Sequence, residues 1–177
     1  MEMNFCRRCG SKLTKTGEGA FICDNSHRLY SNAAPATGIF FVTDDGQVLL
    51  AVRGIEPYKG MLDAIGGFVD INESLEEAIA REVQEEIGLG PDQYETPQFL
   101  CSSPSPYPYD GEERTILGSL FWSQLKPGAR PVPADDVAEI KYFPLKDVDL
   151  SLIGNTDIRI GLEKIQMLQK LKKILAE

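Results

Sequence analysis

The sequence predicts an α/β fold, a mixed β-sheet sandwiched between helices, preceded by a small cysteine-bearing module. Three observations predict it. Two β-rich runs, "GIFFV" (38–42) and "QVLLAV" (47–52), are joined by a "TDDG" turn. A well-capped amphipathic helix follows at about 75–87, and a second amphipathic stretch closes the chain at 155–177. Three more strand-like runs lie between the helices, so strands and helices interleave as in layered α/β folds.

Residues 1–34 read as an N-terminal module and residues 35–177 as the main domain. The module opens with "CRRCG", a Cys-x2-Cys knuckle followed by glycine, and closes with "FICDNSHRLY". Cys6, Cys9, Cys23 and His27 make a tetrahedral Cys3His zinc site, the core of a zinc ribbon. The second half has Cys-x3-His where a ribbon usually has Cys-x2-Cys, so Asp24 or water in place of His27 is the alternative. The competing reading makes Cys23 a small core hydrophobe and His27 a surface residue. So short a segment buries little core, and metal would supply its folding energy. "MEMNFCRRCG" has no apolar leader, so the cytoplasm is the expected location and disulfides are disfavoured.

In the main domain, "MLDAIGGFV" (61–69) passes through a glycine pair towards the first helix. Ser74 and Glu77 form a capping box, Leu75, Ile79 and Val83 recur as a buried stripe, and Gly88 suits the position after the last turn. "QFLCSS" (98–103), "RTILGSLFWSQL" (114–125) and "EIKYFPL" (139–145) read as strands. Cys101 is read as a buried strand thiol, and Phe121 and Trp122 as core residues or, for one of them, a flank for a base. The alternating prolines of "SSPSPYPYD" (102–110) predict a stiff, extended loop. In the last helix Ile158, Leu162, Ile165, Leu168 and Leu171 follow helical spacing, with lysines near the C-terminal end.

Composition narrows the function. Hydrophobic content of 42% is ordinary for a globular protein, and no apolar run approaches the roughly 20 residues of a membrane span. A net charge of −9 argues against broad nucleic-acid binding. It leaves a nucleotide substrate open, because bound metal reverses the local sign.

The chemistry concentrates in residues 67–89, "GFVDINESLEEAIAREVQEEIGL". Glu82, Glu85 and Glu86 stand at i, i+3 and i+4 and share one helical face. Like charges so arranged call for a cation, and carboxylate oxygens suit Mg²⁺ and Mn²⁺. The stretch resembles the Nudix box, G-x5-E-x7-R-E-U-x-E-E-x-G-U with U aliphatic, at Gly67, Glu73, Arg81, Glu82, Val83, Glu85, Glu86, Gly88 and Leu89. That resemblance implies an α/β/α sandwich and a divalent-metal-dependent hydrolase of nucleoside diphosphates linked to another group. It further implies that Glu85 and Glu86 are the core metal ligands. The backbone carbonyl of Gly66 or Gly67 adds another, and Glu82 is either a ligand or the base that activates water. Arg81 orients by pairing with Glu73 or a helix carboxylate. Glu139, ahead of an aromatic pair, is the candidate ligand from outside the box, or else an ordinary edge-strand residue.

A ribbon running through "HRLYSNAAP" into such a domain looks like the NADH pyrophosphatase branch, whose signature is S-Q-P-W-P-F-P-x-S. Ser102, Pro104, Pro106 and Pro108 match it, and Tyr107 stands for Phe. Ser105 stands where the branch has Trp, and Ser103 where it has Gln. The resemblance covers residues 5–145. It implies Ser102, Tyr107 and Tyr109 as substrate contacts, an aromatic ring stacking on a base or nicotinamide, and a homodimer. The implied reaction takes NADH or NAD⁺ to NMN(H) and AMP. ADP-ribose, FAD or another nucleoside diphosphate derivative, the NAD cap of RNA, and a non-catalytic nucleotide sensor are the alternatives.

Overall fold

The computed structural model describes residues 3–176, with side chains described through Lys170. The N-terminal module is a small antiparallel sheet of β1 (Leu13–Gly17), β2 (Ala20–Cys23) and β3 (Arg28–Tyr30) in that order. Its buried core is Cys6, Cys23 and Leu29, with Met3, Leu13 and Phe21 packed around them. Residues 31–33 connect it to the main domain.

The main domain opens with the expected hairpin. β4 (Ala34–Val42) and β5 (Gln47–Arg53) pair antiparallel, Phe41 opposite Leu49 and Val42 opposite Val48. The remaining strands and α-helices are β6 (Leu62–Asp63), α1 (Leu75–Ile87), β7 (Gln98–Tyr109), β8 (Glu112–Gln124), β9 (Val137–Pro144) and α2 (Thr156–Ala176), with two short 3-10 turns, Leu145–Asp147 and Leu150–Leu152, between β9 and α2. The sheet runs β6-β5-β4-β8-β7, and β9 pairs with β5. β4 and β8 are parallel at its centre and the other pairings are antiparallel, so the sheet is mixed.

The apolar runs of β4 and β5 are continuous because both faces of the sheet are covered. Ile39, Phe41, Leu49 and Ala51 join Ile79, Val83 and Ile87 of α1 in one core. Phe40, Val48 and Leu50 join Leu162 and Ile165 of α2 in the other. This is the expected α/β/α sandwich. No helix among the described residues is long and apolar enough to cross a membrane.

The expected proline loop is instead the outer half of an edge strand. β7 pairs with β8 from Cys101 opposite Leu120 to Tyr109 opposite Glu112. In an antiparallel ladder alternate residues turn their N–H away from the partner. Three prolines spaced by two at the sheet edge therefore cost no ladder bond, and they blunt the open edge. Pro104, Pro106 and Pro108 are exposed, while Ser103, Ser105 and Tyr107 turn inward. The stripe on α2 also differs. Ile158, Leu162 and Ile165 are buried, but Leu168 is 40% exposed. A step of 3.6 residues brings position 169 inward, and Gln169 is the residue that approaches Gly46. Leu171 lies outside the described side chains.

Candidate active site

The capping box at the start of α1 forms as expected. The Glu77 N–H donates to Ser74 Oγ at 3.2 Å, and the Ser74 N–H donates to Glu77 Oε2 at 2.8 Å. At the other end Gly88 takes the left-handed conformation, φ 68°. These caps, with Ile79 and Val83 locked into the core, set the rotation of the helix. Glu82, Glu85 and Glu86 then face a cleft of about 380 Å³ beside β4.

Arg81 ties this face together. It donates from Nε and Nη2 to the two oxygens of Glu73, at 2.8 and 2.9 Å. Nη1 reaches Glu82 Oε1 at 2.8 Å and Glu85 Oε2 at 3.1 Å, and Nη2 also reaches the Phe68 carbonyl at 3.0 Å. The fork of donors that only arginine offers suits this convergence. The hydrogen bonds from Arg81 hold the Glu73 carboxyl well down, at about 2.

Glu86 lies on the other side of the face, away from Arg81. It is buried and accepts the Gly66 N–H at 2.9 Å. Burial pushes its carboxyl up to about 8, with repulsion from Glu82, Asp63 and Asp136 adding to the rise and the Gly66 N–H opposing it. Burial also raises Glu82, against the pull of Arg81. Two buried carboxylates whose negative form is disfavoured are a donor set suited to a hard cation, and these residues fit Mg²⁺ or Mn²⁺. Gly67 allows the close approach. A Cβ there would collide with the Glu82 carboxylate.

The other wall is aromatic. Phe68 meets Tyr107 edge-on with centroids 5.6 Å apart, and Tyr109 at 6.4 Å. The Arg114 guanidinium lies 4.8 Å from the Tyr109 centroid. Such rings offer both faces and edges to a planar ligand.

Of the residues expected from sequence, Gly66, Arg81, Glu82, Glu85, Glu86, Tyr107 and Tyr109 all line this cleft. Glu139 and Ser102 lie apart from it. Opposite Val52 in the β5–β9 register, Glu139 has its side chain 58% exposed and paired with Lys141 at 3.0 Å. Its neighbours Asp135 and Asp136 line the cleft instead. The Gly54 N–H donates to the Asp136 carbonyl at 2.6 Å, which anchors this segment beside β5. Ser102 is an exposed residue of β7, on the face opposite Ser103. Sequence reasoning also passed over Phe68, Arg53, Asp63, Asn155 and Asp157, all of which line the cleft. An aspartate inside a short strand, as at Asp63, is the one signal that would have drawn attention.

In the ribbon, Cys6, Cys9, Cys23 and His27 converge, with one ligand atom of each within 4.8 Å of all the others. Cys9 Sγ and Cys23 Sγ are 3.7 Å apart, and Cys6 Sγ is 3.5 Å from His27 Nδ1. A zinc tetrahedron with Zn–S bonds of about 2.3 Å has S···S edges of about 3.8 Å. The cluster is therefore compact enough to hold a zinc ion, with His27 in reach as the fourth ligand.

Comparison with known proteins agrees with a mixed sheet between two helices and an acidic helix facing a cleft. The NUDIX domain model matches residues 32–163, and the chain belongs to the Nudix family. Within it, the chain is similar to the mitochondrial NAD(P)H pyrophosphatase NUDT13 of Mus musculus. The two are 36% identical over 151 residues, 84% of this chain and 40% of the relative. It is also 31% identical over 149 residues to the NAD-capped RNA hydrolase NudC of Pseudomonas syringae pv. tomato, 83% of this chain and 50% of that protein. The chain thus spans half or less of these relatives. A Nudix hydrolase structure from Nitrosomonas europaea superposes with a TM-score of 0.67 at 23% identity, covering 93% of this chain and 91% of that one, and shares the fold.

Proposed function

We propose that the chain hydrolyses the pyrophosphate bond of a nucleoside diphosphate derivative, with NADH or NAD⁺ as first substrate and NMN(H) and AMP as products. The observation that carries this is the acidic face of α1, with Glu82 and Glu86 buried and Glu85 exposed to the cleft, opposite an aromatic wall. Glu82, Glu85 and Glu86 would hold Mg²⁺ or Mn²⁺, with the Gly66 carbonyl and a carboxylate of Asp135 or Asp136 as further ligands. Such a metal, when bound, neutralises phosphate charge and lowers the pKa of bound water. Arg81 keeps the carboxylates in register and the anionic face open to the cleft. Glu82, whose carboxyl burial raises, serves either as a further ligand of that metal or as the base that takes the proton of the attacking water. Tyr107, with Phe68 and Tyr109 beside it, stacks on a ring of the substrate.

In the ribbon, zinc on Cys6, Cys9, Cys23 and His27 acts as a structural ion. Analogy with the NADH pyrophosphatase branch is the ground for a homodimer. The NAD-capped RNA hydrolases among the relatives support a second substrate, the same dinucleotide at the end of an RNA.

The test is a product analysis. The protein is incubated with NADH, NAD⁺, ADP-ribose, FAD and an NAD-capped oligonucleotide with Mg²⁺ or Mn²⁺, and the products are resolved by chromatography. AMP with NMNH, abolished by EDTA, is the expected result. Preference for another diphosphate would retire the NAD assignment and keep the hydrolase. No turnover of any of them would leave the nucleotide sensor.

A further inference from the structure

The same cleft carries a second polar group of side chains beside the acidic face of α1. Arg53 Nη1 pairs with Asp63 Oδ2 at 2.9 Å, and Asn155 Nδ2 donates to the same oxygen at 3.0 Å. Asp63 Oδ1 accepts the Ala64 N–H at 2.9 Å. The remaining reach of Arg53 goes to the Pro57 carbonyl, 2.7 Å from Nε, and the Tyr107 hydroxyl, 3.4 Å from Nη2. Arg53 and Asp63 are thus engaged by the protein itself.

Asn155 and Asp157 are not fully engaged. The Asn155 amide must turn its NH₂ to the Asp63 carboxylate, which leaves Oδ1 as the free acceptor. Asn155 is 6% exposed and Asp157 3%. Among the described residues, the buried side-chain polar atoms without a hydrogen-bond partner are Asn155 Oδ1, Asp157 Oδ1 and Arg114 Nε. Two of these three are acceptors two residues apart on the cleft wall. A buried acceptor left unmatched costs about 1–3 kcal/mol, so a pair of them is a feature that requires a reason.

The surroundings are cut to admit this pair. Gly118 of β8 faces Asp157, and a Cβ there would collide with Asp157 Oδ2. Ser105 turns inward from β7 and is 1% exposed. Burial raises the Asp157 carboxyl, and the N–H groups of Asp157 and Ile158 in the first turn of α2, with the Ser105 hydroxyl after them, oppose the rise; that hydroxyl also lies 3.3 Å from the Pro106 carbonyl. Ser105 is also the position at which the NADH pyrophosphatase signature has Trp. An indole there would fill the space beside Asp157 and remove the hydroxyl that supports it. Ala36, Ala64, Ile116 and Ile158 add apolar walls of a kind that suits a flat ring.

We propose that Asn155 Oδ1 and Asp157 Oδ1 form an acceptor pair that selects substrates by an NH₂ group on a planar ring system. One such group donates two N–H bonds, one to each oxygen. A carbonyl or carboxylate in its place would face two acceptors and be rejected. Within the proposed substrate class this chemistry has two sources, the exocyclic amine of adenine and the carboxamide of nicotinamide. The inference rests on the nucleotide-hydrolase reading above and adds the specificity pocket to it.

Matched pairs of ligands test it. Binding of AMP against IMP, and of nicotinamide mononucleotide against nicotinic acid mononucleotide, is measured by calorimetry on the full zinc-loaded chain with Mg²⁺. The expected result is a preference of about tenfold or more for the amino member of one pair, which identifies the source. Asp157→Val and Asn155→Ala, made separately, should each reduce that preference to under about threefold. Two variants at different residues guard against one failing to fold, which thermal melts will reveal. Equal binding within both pairs, no binding of any of the four at millimolar concentration, or a preference unchanged in both folded variants would overturn the proposal. Hydrolysis of NAD⁺ and ADP-ribose by the same wild-type sample reports on the parent reading separately. Turnover without discrimination defeats only the pocket, and discrimination without turnover defeats only the hydrolase.

Discussion

The chain carries two clusters of metal-seeking side chains, and they are built in opposite ways. In the ribbon, Cys6, Cys9, Cys23 and His27 come from two turns around a core of three buried residues. In the cleft, Glu82, Glu85 and Glu86 ride on a helix whose other side is locked into a large apolar core. The ribbon has little besides its ligands to hold it together, whereas the carboxylates are held by a helix packed on a large apolar core. Soft thiolates converging on one point suit a closed structural zinc site, whereas carboxylates on the wall of an open cleft suit a hard cation that keeps positions free for substrate.

The largest expected effect breaks the ribbon alone. Structural zinc contributes about 10–16 kcal/mol to small modules of this kind. Removing it with a strong chelator, or by Cys9→Ser with Cys23→Ser, should abolish amide-exchange protection across β1–β3. The main domain should keep its own melting transition. Loss of both together would show that the two regions fold as one.

Next comes the cleft. Glu85→Gln or Glu86→Gln should lower kcat by about 10²–10³, as removal of one transition-state-stabilising group typically does. The unfolding midpoint should hold. A near-wild-type rate in both variants would remove the metal assignment.

A smaller effect concerns Asp63, which burial lifts from 3.8 to about 6 despite its pairing with Arg53. The folded state then holds this proton more tightly than the unfolded chain. Its stabilising contribution is present below about pH 4 and is lost as pH rises through about 6, a change of about 3 kcal/mol. Asp63→Asn has no such proton. Denaturant melts of the metal-free-cleft protein across this range should show a steeper decline in wild type than in the variant, and parallel slopes would refute the assignment.

The smallest effect is at the aromatic wall. Tyr107→Ala should raise KM for the preferred dinucleotide about five- to tenfold, in line with one lost ring contact of about 1 kcal/mol. Turnover of a generic diphosphate should change less. Equal effects on both substrates would take Tyr107 out of recognition.

Local signals carried far in this chain. The capping box at Ser74, the left-handed Gly88 and the spacing of Ile79 and Val83 were legible because each depends on residues within a turn or two. The same holds for the acid face of α1 and for the Cys-x2-Cys knuckle. Glu139 misled because its merit was a position ahead of aromatic residues. The residue that lines the cleft is decided by how β9 pairs with β5 and where the segment before it anchors on Gly54. The proline run misled for a similar reason. Prolines argue for a loop unless the segment lies at a sheet edge, and edge position is a property of the whole sheet.

By itself the sequence determined the α/β class, the helix that bears the carboxylates and the Cys-x2-Cys knuckle, since these follow from short-range periodicity and spacing; that His27 stands beside the three cysteines came from the fold. Only the tertiary structure decided the contents of the cleft. Phe68, Asp136 and Asp157 come from segments far apart in the chain, and sheet register together with the seating of α2 on β7 and β8 brings them to one cavity, with Ser105 buried behind it. Residues so distant carry no mutual pattern in the chain, because their adjacency exists only once the sheet has closed.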